Sequence, residues 1–363
     1  MKRFAPILCL LLAGCVGQEP IGTQPPGDPA VVITAPPTPL PPTATVTAPP
    51  DVVGRPGIGD PYFPTLGNSG YDVQHYMLDL TVDVDNNLIT EGIATIEAVA
   101  TQPLRVFNLD FRGFDIARIT VDGQRAGYLR DGTELVITAT AIIDAGDTFN
   151  VEVAYAGSPG GGTSYTSGWI YYQSGIAVAG EPSGASTWFP VNEHPLDKAT
   201  YTYRITVPEG FTVAANGLLR SEEVNPDGSR TVEWRTVDPL ASYLTTLAVG
   251  DFDRVEDVTA SGVLIRNYFA AGISAEERAN FDRQAEMIDY FEGLFGPYPF
   301  EAYGAVVHPV SLGFALETQT LSVFFTGFTQ EFVVAHELAH QWFGNSVSPE
   351  GWQYIWLNEG FAT

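Results

Sequence analysis

His336-Glu337-Leu338-Ala339-His340 spaces two imidazoles and a carboxylate as a metal would require. Phe332 to Trp342 contains no Pro or Gly, and its Ala and Leu favour helix. Helical residues four apart share one face, about 6 Å apart along the axis, so both imidazoles can reach one cation. Glu337 lies near that face and can contact a water held by the metal without ligating the metal. A catalytic zinc site commonly takes three protein ligands and leaves the fourth place to water. The third candidate is Glu359, within Trp356-Leu357-Asn358-Glu359-Gly360-Phe361. Eighteen residues separate it from His340, including Gly344-Asn345 and Pro349-Glu350-Gly351. Those can end one helix and turn the chain back, so that a second helix carries Glu359 to the metal. Zinc so held lowers the pKa of its water toward ~7 and polarises a carbonyl.

An amphipathic helix with two core histidines would show the same pentapeptide; the glutamate spaced within Asn-Glu-Gly argues for zinc. His75, His194 and His308 stand alone and read as surface or strand-end residues.

The elements that must position this constellation fall into two regions. From Tyr71, a period of two runs through Tyr76, Leu78, Leu80, Val82 and Val84, and Asp85-Asn86-Asn87 supplies a turn. Ile96, Ala98 and Ala100 continue the pattern, as do Leu135–Thr138, Phe149–Tyr155, Tyr201–Val207 and Thr231–Val237. Asp-Gly turn signals lie between them. Residues 65–253 therefore read as an all-β domain. Residues 254–363 read as α+β. There Ser274 and Glu277 form a capping box, Phe281, Ala285, Ile288 and Phe291 recur at helical spacing, and Gly296-Pro297 stops the helix. Strand-like pieces follow at Ala305–Val310 and Thr320–Phe325, and a second helix begins near Thr329.

The 363 residues suit two domains, or one large one with appendages, and 45% apolar residues can build a sizeable core. A formal charge of -26 repels nucleic acid, so no nucleic-acid partner is expected. Both cysteines, Cys9 and Cys15, lie in the first fifteen residues, so the folded body has no disulfide and would bind metal through His and carboxylates.

Lys2 and Arg3 precede an apolar run, Phe4 to Ala13, which is short for a span and fits a secretory signal. Leu12-Ala13-Gly14-Cys15 resembles a bacterial lipoprotein box, which implies removal of residues 1–14 and lipidation of Cys15. The alternative is an ordinary signal peptide with a chance cysteine. Thirteen of the 27 prolines lie in residues 16–61 without one aromatic residue. Such composition favours extended polyproline II, and residues 15–64 read as a disordered, semi-rigid spacer holding the body off a membrane. The expected location is the bacterial cell envelope, exported and lipid-anchored.

The segment from His336 to Asn345, His-Glu-Leu-Ala-His-Gln-Trp-Phe-Gly-Asn, resembles the aminopeptidase N family of gluzincins, and Trp356–Thr363 is similar to that family's second zinc helix. Trp188-Phe189-Pro190, Pro195 and Lys198-Ala199-Thr200 resemble the family's stretch before a characteristic strand. The similarity spans roughly residues 70–363. It implies a multi-domain fold: an all-β, saddle-like N-terminal domain, then the start of a thermolysin-like catalytic domain. It also implies one Zn²⁺ on His336, His340 and Glu359, with Glu337 as the catalytic base. Gly313-Phe314-Ala315-Leu316-Glu317 stands where the family has Gly-Ala-Met-Glu-Asn. By that resemblance Glu317 binds a peptide's free α-amine, and the backbone of Gly313, Ala315 and Leu316 holds the peptide as an added strand. Phe314, Leu316 and Thr318 depart from the pattern, so pocket specificity does not carry over. Glu181, in Gly180-Glu181-Pro182, matches the second amine-binding position.

The expected function is a zinc aminopeptidase acting on peptides with a free N-terminus. Rivals are an endopeptidase or epoxide hydrolase on the same scaffold, and a lipid-anchored peptide-binding protein without catalysis. Glu317 argues against an endopeptidase, because an internal peptide bond offers no cation. Glu337 argues against mere binding. Thr363 lies four residues past Glu359. The expectation is therefore a fragment that holds zinc weakly and shows little activity, with the family's transition-state tyrosine beyond residue 363.

Overall fold

Strand β1 (Tyr71–Asp83) buries Tyr76, Leu78, Leu80 and Val82 on one face, as the alternation requires. It is seen in a computed structural model that describes residues 52–160, 167–173 and 175–363. The signal and Cys15 lie outside the described residues. β1 pairs antiparallel with β2 (Leu88–Ala100), which pairs antiparallel with β3 (Thr148–Pro159). On its other edge β1 pairs in parallel with β4 (Lys198–Val207), matching His75 with Thr200. These strands form the middle of a nine-stranded sheet; three- and four-stranded sheets complete the β-region among the described residues. Its core is aromatic: Tyr76 and Tyr201 stack at 4.9 Å, and Trp188 meets Phe189 edge-on at 4.6 Å.

The spacer expected through residue 64 gives way to packed chain at Val52. Val52 and Leu66 are buried, Gly54 N–H donates to the Val106 carbonyl at 2.8 Å, and Asp60 is 5% exposed. The proline and glycine content there serves turns laid against the β-region.

After Asp251 the chain enters a five-stranded sheet containing β5 (Phe252–Val258), β6 (Leu264–Ala270), β7 (Tyr303–His308), β8 (Ala315–Leu316) and β9 (Ser322–Phe325). Its strand order is β5-β6-β7-β9-β8, which leaves β8 at an edge. The capping box forms: Glu277 N–H donates to Ser274 Oγ. The expected single helix is two, α1 (Ala275–Ala279) and α2 (Gln284–Phe295). The break turns Phe281 inward against Phe269 and Phe324, at 5.4 and 5.0 Å. α2 ends at Gly296. α3 spans Glu331–Ala339 and α4 spans Ile355–Ala362.

His194 is at neither the surface nor a strand end, whereas His308 ends a strand as expected but is buried. His194 is buried beside Asp60, and His308, at the end of β7, is fully buried against Tyr172, Phe252 and Phe325. Burial pushes His308 down to about 3, so it packs as a neutral ring.

Candidate metal centre

α3 is shorter than its composition suggests. It ends at Ala339, and His340 is its C-cap, still in the right-handed region. His336 and His340 therefore share a face, with their Nε2 atoms 3.0 Å apart. α4 brings Glu359 to both: Oε2 lies 3.4 Å from His336 Nε2, and Oε1 lies 3.9 Å from His340 Nε2. Two imidazole nitrogens and a carboxylate facing one point make a donor set of the kind zinc takes. His340 Nδ1 lies 2.6 Å from Asn358 Oδ1 and 3.1 Å from the Phe343 carbonyl. Both partners accept, so Nδ1 carries the proton and Nε2 keeps its lone pair.

Glu337 and Glu317 are buried, 5% and 3% exposed, and both have a carboxylate oxygen within 4.8 Å of a His340 ring nitrogen and of each other. Glu181 is half-buried in the β-region. Burial pushes Glu337 well above the usual carboxylate range, and the charges of Glu317, Glu359 and Glu181 push it further. Burial and then Glu317 and Glu359 act likewise on Glu181. For Glu359, burial raises the pKa, but the two imidazoles outweigh it and hold the group below its ordinary value. The hydrogen bond to Glu359 raises His336 against the opposing effect of burial. The structure thus gathers His336, His340 and Glu359 in one group and Glu317, Glu337 and His340 in a second that shares His340, with Glu181 close enough for its charge to act on Glu337. Ala315 and Leu316 form edge strand β8 immediately before Glu317, and Gly313 lies in the exposed loop leading to it.

The loop after Glu317 is held from both regions. The Glu317 carbonyl accepts from Gln341 Nε2 at 3.1 Å and Asn345 Nδ2 at 2.7 Å. Asn216, from the β-region, donates to the Gln319 carbonyl at 2.6 Å, and Gly217 N–H donates to Thr320 Oγ1 at 2.8 Å. Tyr243 OH donates to the Gly344 carbonyl at 3.3 Å. Sequence reasoning assigned no role to Asn216, Tyr243 or Gln341. Each acts through a long-range contact that no local period marks.

The chain matches the Peptidase M1 N-terminal domain over residues 72–244 and the Peptidase family M1 domain over residues 279–363. It is 33% identical over 198 residues to Aminopeptidase M1 of Arabidopsis thaliana, covering 50% of this chain and 22% of that protein. With glutamyl aminopeptidase of Homo sapiens it shares 33% identity over 206 residues, 52% of this chain and 21% of the relative. The chain thus spans about a fifth of the length of the curated relatives it matches. An M1 zinc metallopeptidase mutant from Deinococcus radiodurans, solved with a Tyr-Ser-Ala substrate, superposes with a TM-score of 0.79 at 33% identity, covering 84% of this chain and 72% of that one. The unmutated metallopeptidase from the same organism gives 0.78 at 34% identity, with the same coverage. The two M1 domain matches in sequence order and the superposition over most of the described fold agree, and the chain belongs to the M1 family of zinc metallopeptidases.

Proposed function

We propose that this chain carries the metal-binding and amine-anchoring machinery of a zinc aminopeptidase. The observation that carries the reading is Glu317, a buried carboxylate beside the histidines that belongs to a second acidic group rather than to the His336, His340 and Glu359 set. A buried carboxylate at the end of a cleft is suited to a cation, and a peptide's free N-terminus is one. His336, His340 and Glu359 would hold the zinc. When bound, zinc would polarise the scissile carbonyl and make water a better nucleophile at neutral pH. Glu337, biased toward taking up a proton by burial and its acidic neighbours, accepts one from the attacking water and returns it to the leaving amine. Glu317 and Glu181 receive the ammonium. β8 offers its unpaired edge to the peptide backbone as an added strand.

The test compares an aminoacyl-chromophore with its N-acetylated form. In a complete enzyme containing this chain, Glu317→Ala should retain zinc yet lose ~10²-fold in kcat/KM on the free amine, the scale of a lost charge-assisted bond. Equal cleavage of free and acetylated substrate by the parent would overturn the amine-anchor reading.

The N-terminal pattern supports export and lipid anchoring at Cys15 to the cell envelope. No helix among the described residues is long and apolar enough to cross a membrane. Cys15→Ser should shift the protein from the membrane to the soluble fraction. A mature N-terminus other than a modified Cys15 would refute the anchor.

A further inference from the structure

Asn358 sits one residue before Glu359 on α4 and is 1% exposed. Its two amide atoms face in different directions. Oδ1 accepts from His340 Nδ1 at 2.6 Å, and Nδ2 donates to Glu317 Oε1 at 2.9 Å. The polarity is unambiguous, because a carboxylate only accepts and His340 Nδ1 also faces the Phe343 carbonyl. The amide is wedged as well as bonded: a Cβ on Gly344 would lie 1.9 Å from Asn358 Oδ1. The Glu317 main chain is already held by Gln341 and Asn345. What remains is the carboxylate, and Asn358 occupies one of its two oxygens.

We propose that Asn358 is a positioning residue for amine recognition. By holding Glu317 Oε1 it turns the other oxygen toward the substrate's ammonium, and by holding His340 it joins amine selectivity to metal retention through one side chain. This rests on the aminopeptidase reading above. One side of the amide serves the metal set and the other serves the ligand, so substitutions should separate the two effects.

The experiment is a double-mutant cycle on the zinc-loaded protein, using Asn358→Ala, Glu317→Ala and both together. Binding of leucinamide and N-acetyl-leucinamide is measured by calorimetry, and zinc affinity by competition with a chelator. Asn358→Ala should weaken leucinamide about tenfold, leave the acetylated ligand unchanged and lower zinc affinity. In the Glu317→Ala background it should no longer affect leucinamide, while the zinc effect persists. An equal loss for both ligands, or an undiminished loss without Glu317, would overturn the proposal and leave Asn358 a packing residue. If Glu317→Ala itself leaves the preference for the free amine intact, the aminopeptidase reading fails instead. Should Asn358→Ala not fold, the near-isosteric Asn358→Leu keeps the volume and withdraws both bonds without adding charge. It must then weaken leucinamide only when Glu317 is present, while lowering zinc affinity in both backgrounds; any other pattern refutes the link.

Discussion

Asp60 Oδ2 accepts the backbone N–H of Trp352 at 2.7 Å, across 292 positions of chain. Its Oδ1 accepts from Tyr62 and Phe63 N–H groups at 2.8 and 2.9 Å. Phe63 then meets the Trp352 ring edge-on at 5.8 Å, and Trp352 meets Tyr243 at 5.1 Å. Trp352 lies in the turn that leads into α4, so the segment before β1 steadies the approach of Glu359. Asp60→Ala strands three backbone donors and should cost about 2–3 kcal/mol in urea unfolding. Zinc affinity should fall with it, as a chelator titration would show; an unchanged affinity would confine Asp60 to stability.

Gly344 has φ +121 and lies against Asn358. Gly344→Ala adds a carbon where Oδ1 sits and strains the backbone. The expected result is a lower Tm together with loss of zinc, measured by thermal unfolding and metal analysis. Retention of full zinc affinity would mean that α4 can shift at little cost.

Lys198 Nζ leaves β4 to donate to the carbonyls of Asn345 at 2.8 Å and Ser346 at 3.2 Å, just after the histidine pair. Burial holds its pKa below the ordinary lysine value. Lys198→Met keeps most of the packing and abandons both carbonyls. Denaturant titration should show a loss of about 1–3 kcal/mol.

Asp197 is pushed up to about 8, chiefly by burial and then by the charge of Asp72, against the opposing Val73 N–H and Asn192 amide. Glu134 is pushed up to about 7 by burial and then by Asp131, with Glu193 adding. Unfolded, these groups titrate near 3.8 and 4.5, so the folded state binds more protons between the two sets of values. Their contribution to stability therefore declines as pH rises from about 4 to about 8 and levels off above. Thermal unfolding at pH 5, 6, 7 and 8 should show that slope, and Asp197→Asn should flatten it. An unchanged slope in the variant would assign the dependence to other groups.

The histidine pair and Glu359 were legible because their relationship is local: a four-residue helical repeat, then a turn and a second helix. The strands were legible because each buries alternate residues, as β1 does with Leu78 and Leu80. The contacts that brace the site were not. Asn216 reaches Gln319 and Asp60 reaches Trp352 through single polar atoms far apart in sequence, with no periodicity to announce them. Composition misled at residues 52–64, where proline and glycine read as linker although the backbone is bonded to the β-region. It misled again at His194, since a lone polar residue does not reveal whether a buried partner such as Asp60 awaits it; His308 does end a strand, but nothing local announced its aromatic cage. Helical spacing also failed to show the break after Ala279, because Phe281 packs inward in a turn as well as it would in a helix.

The parallel pairing of β1 with β4 sets an order of events during synthesis. β1, β2 and β3 can zip as neighbours soon after they emerge, but the free edge of β1 has no partner until residues 198–207 have been made. Until then a long strand with unpaired donors and acceptors stays open to misassociation. Pairings so distant in sequence also form slowly. A nascent chain stalled before β4 should therefore recruit chaperones more strongly than one stalled just after it, and Asp60 can meet Trp352 only after the 292 positions between them have been made.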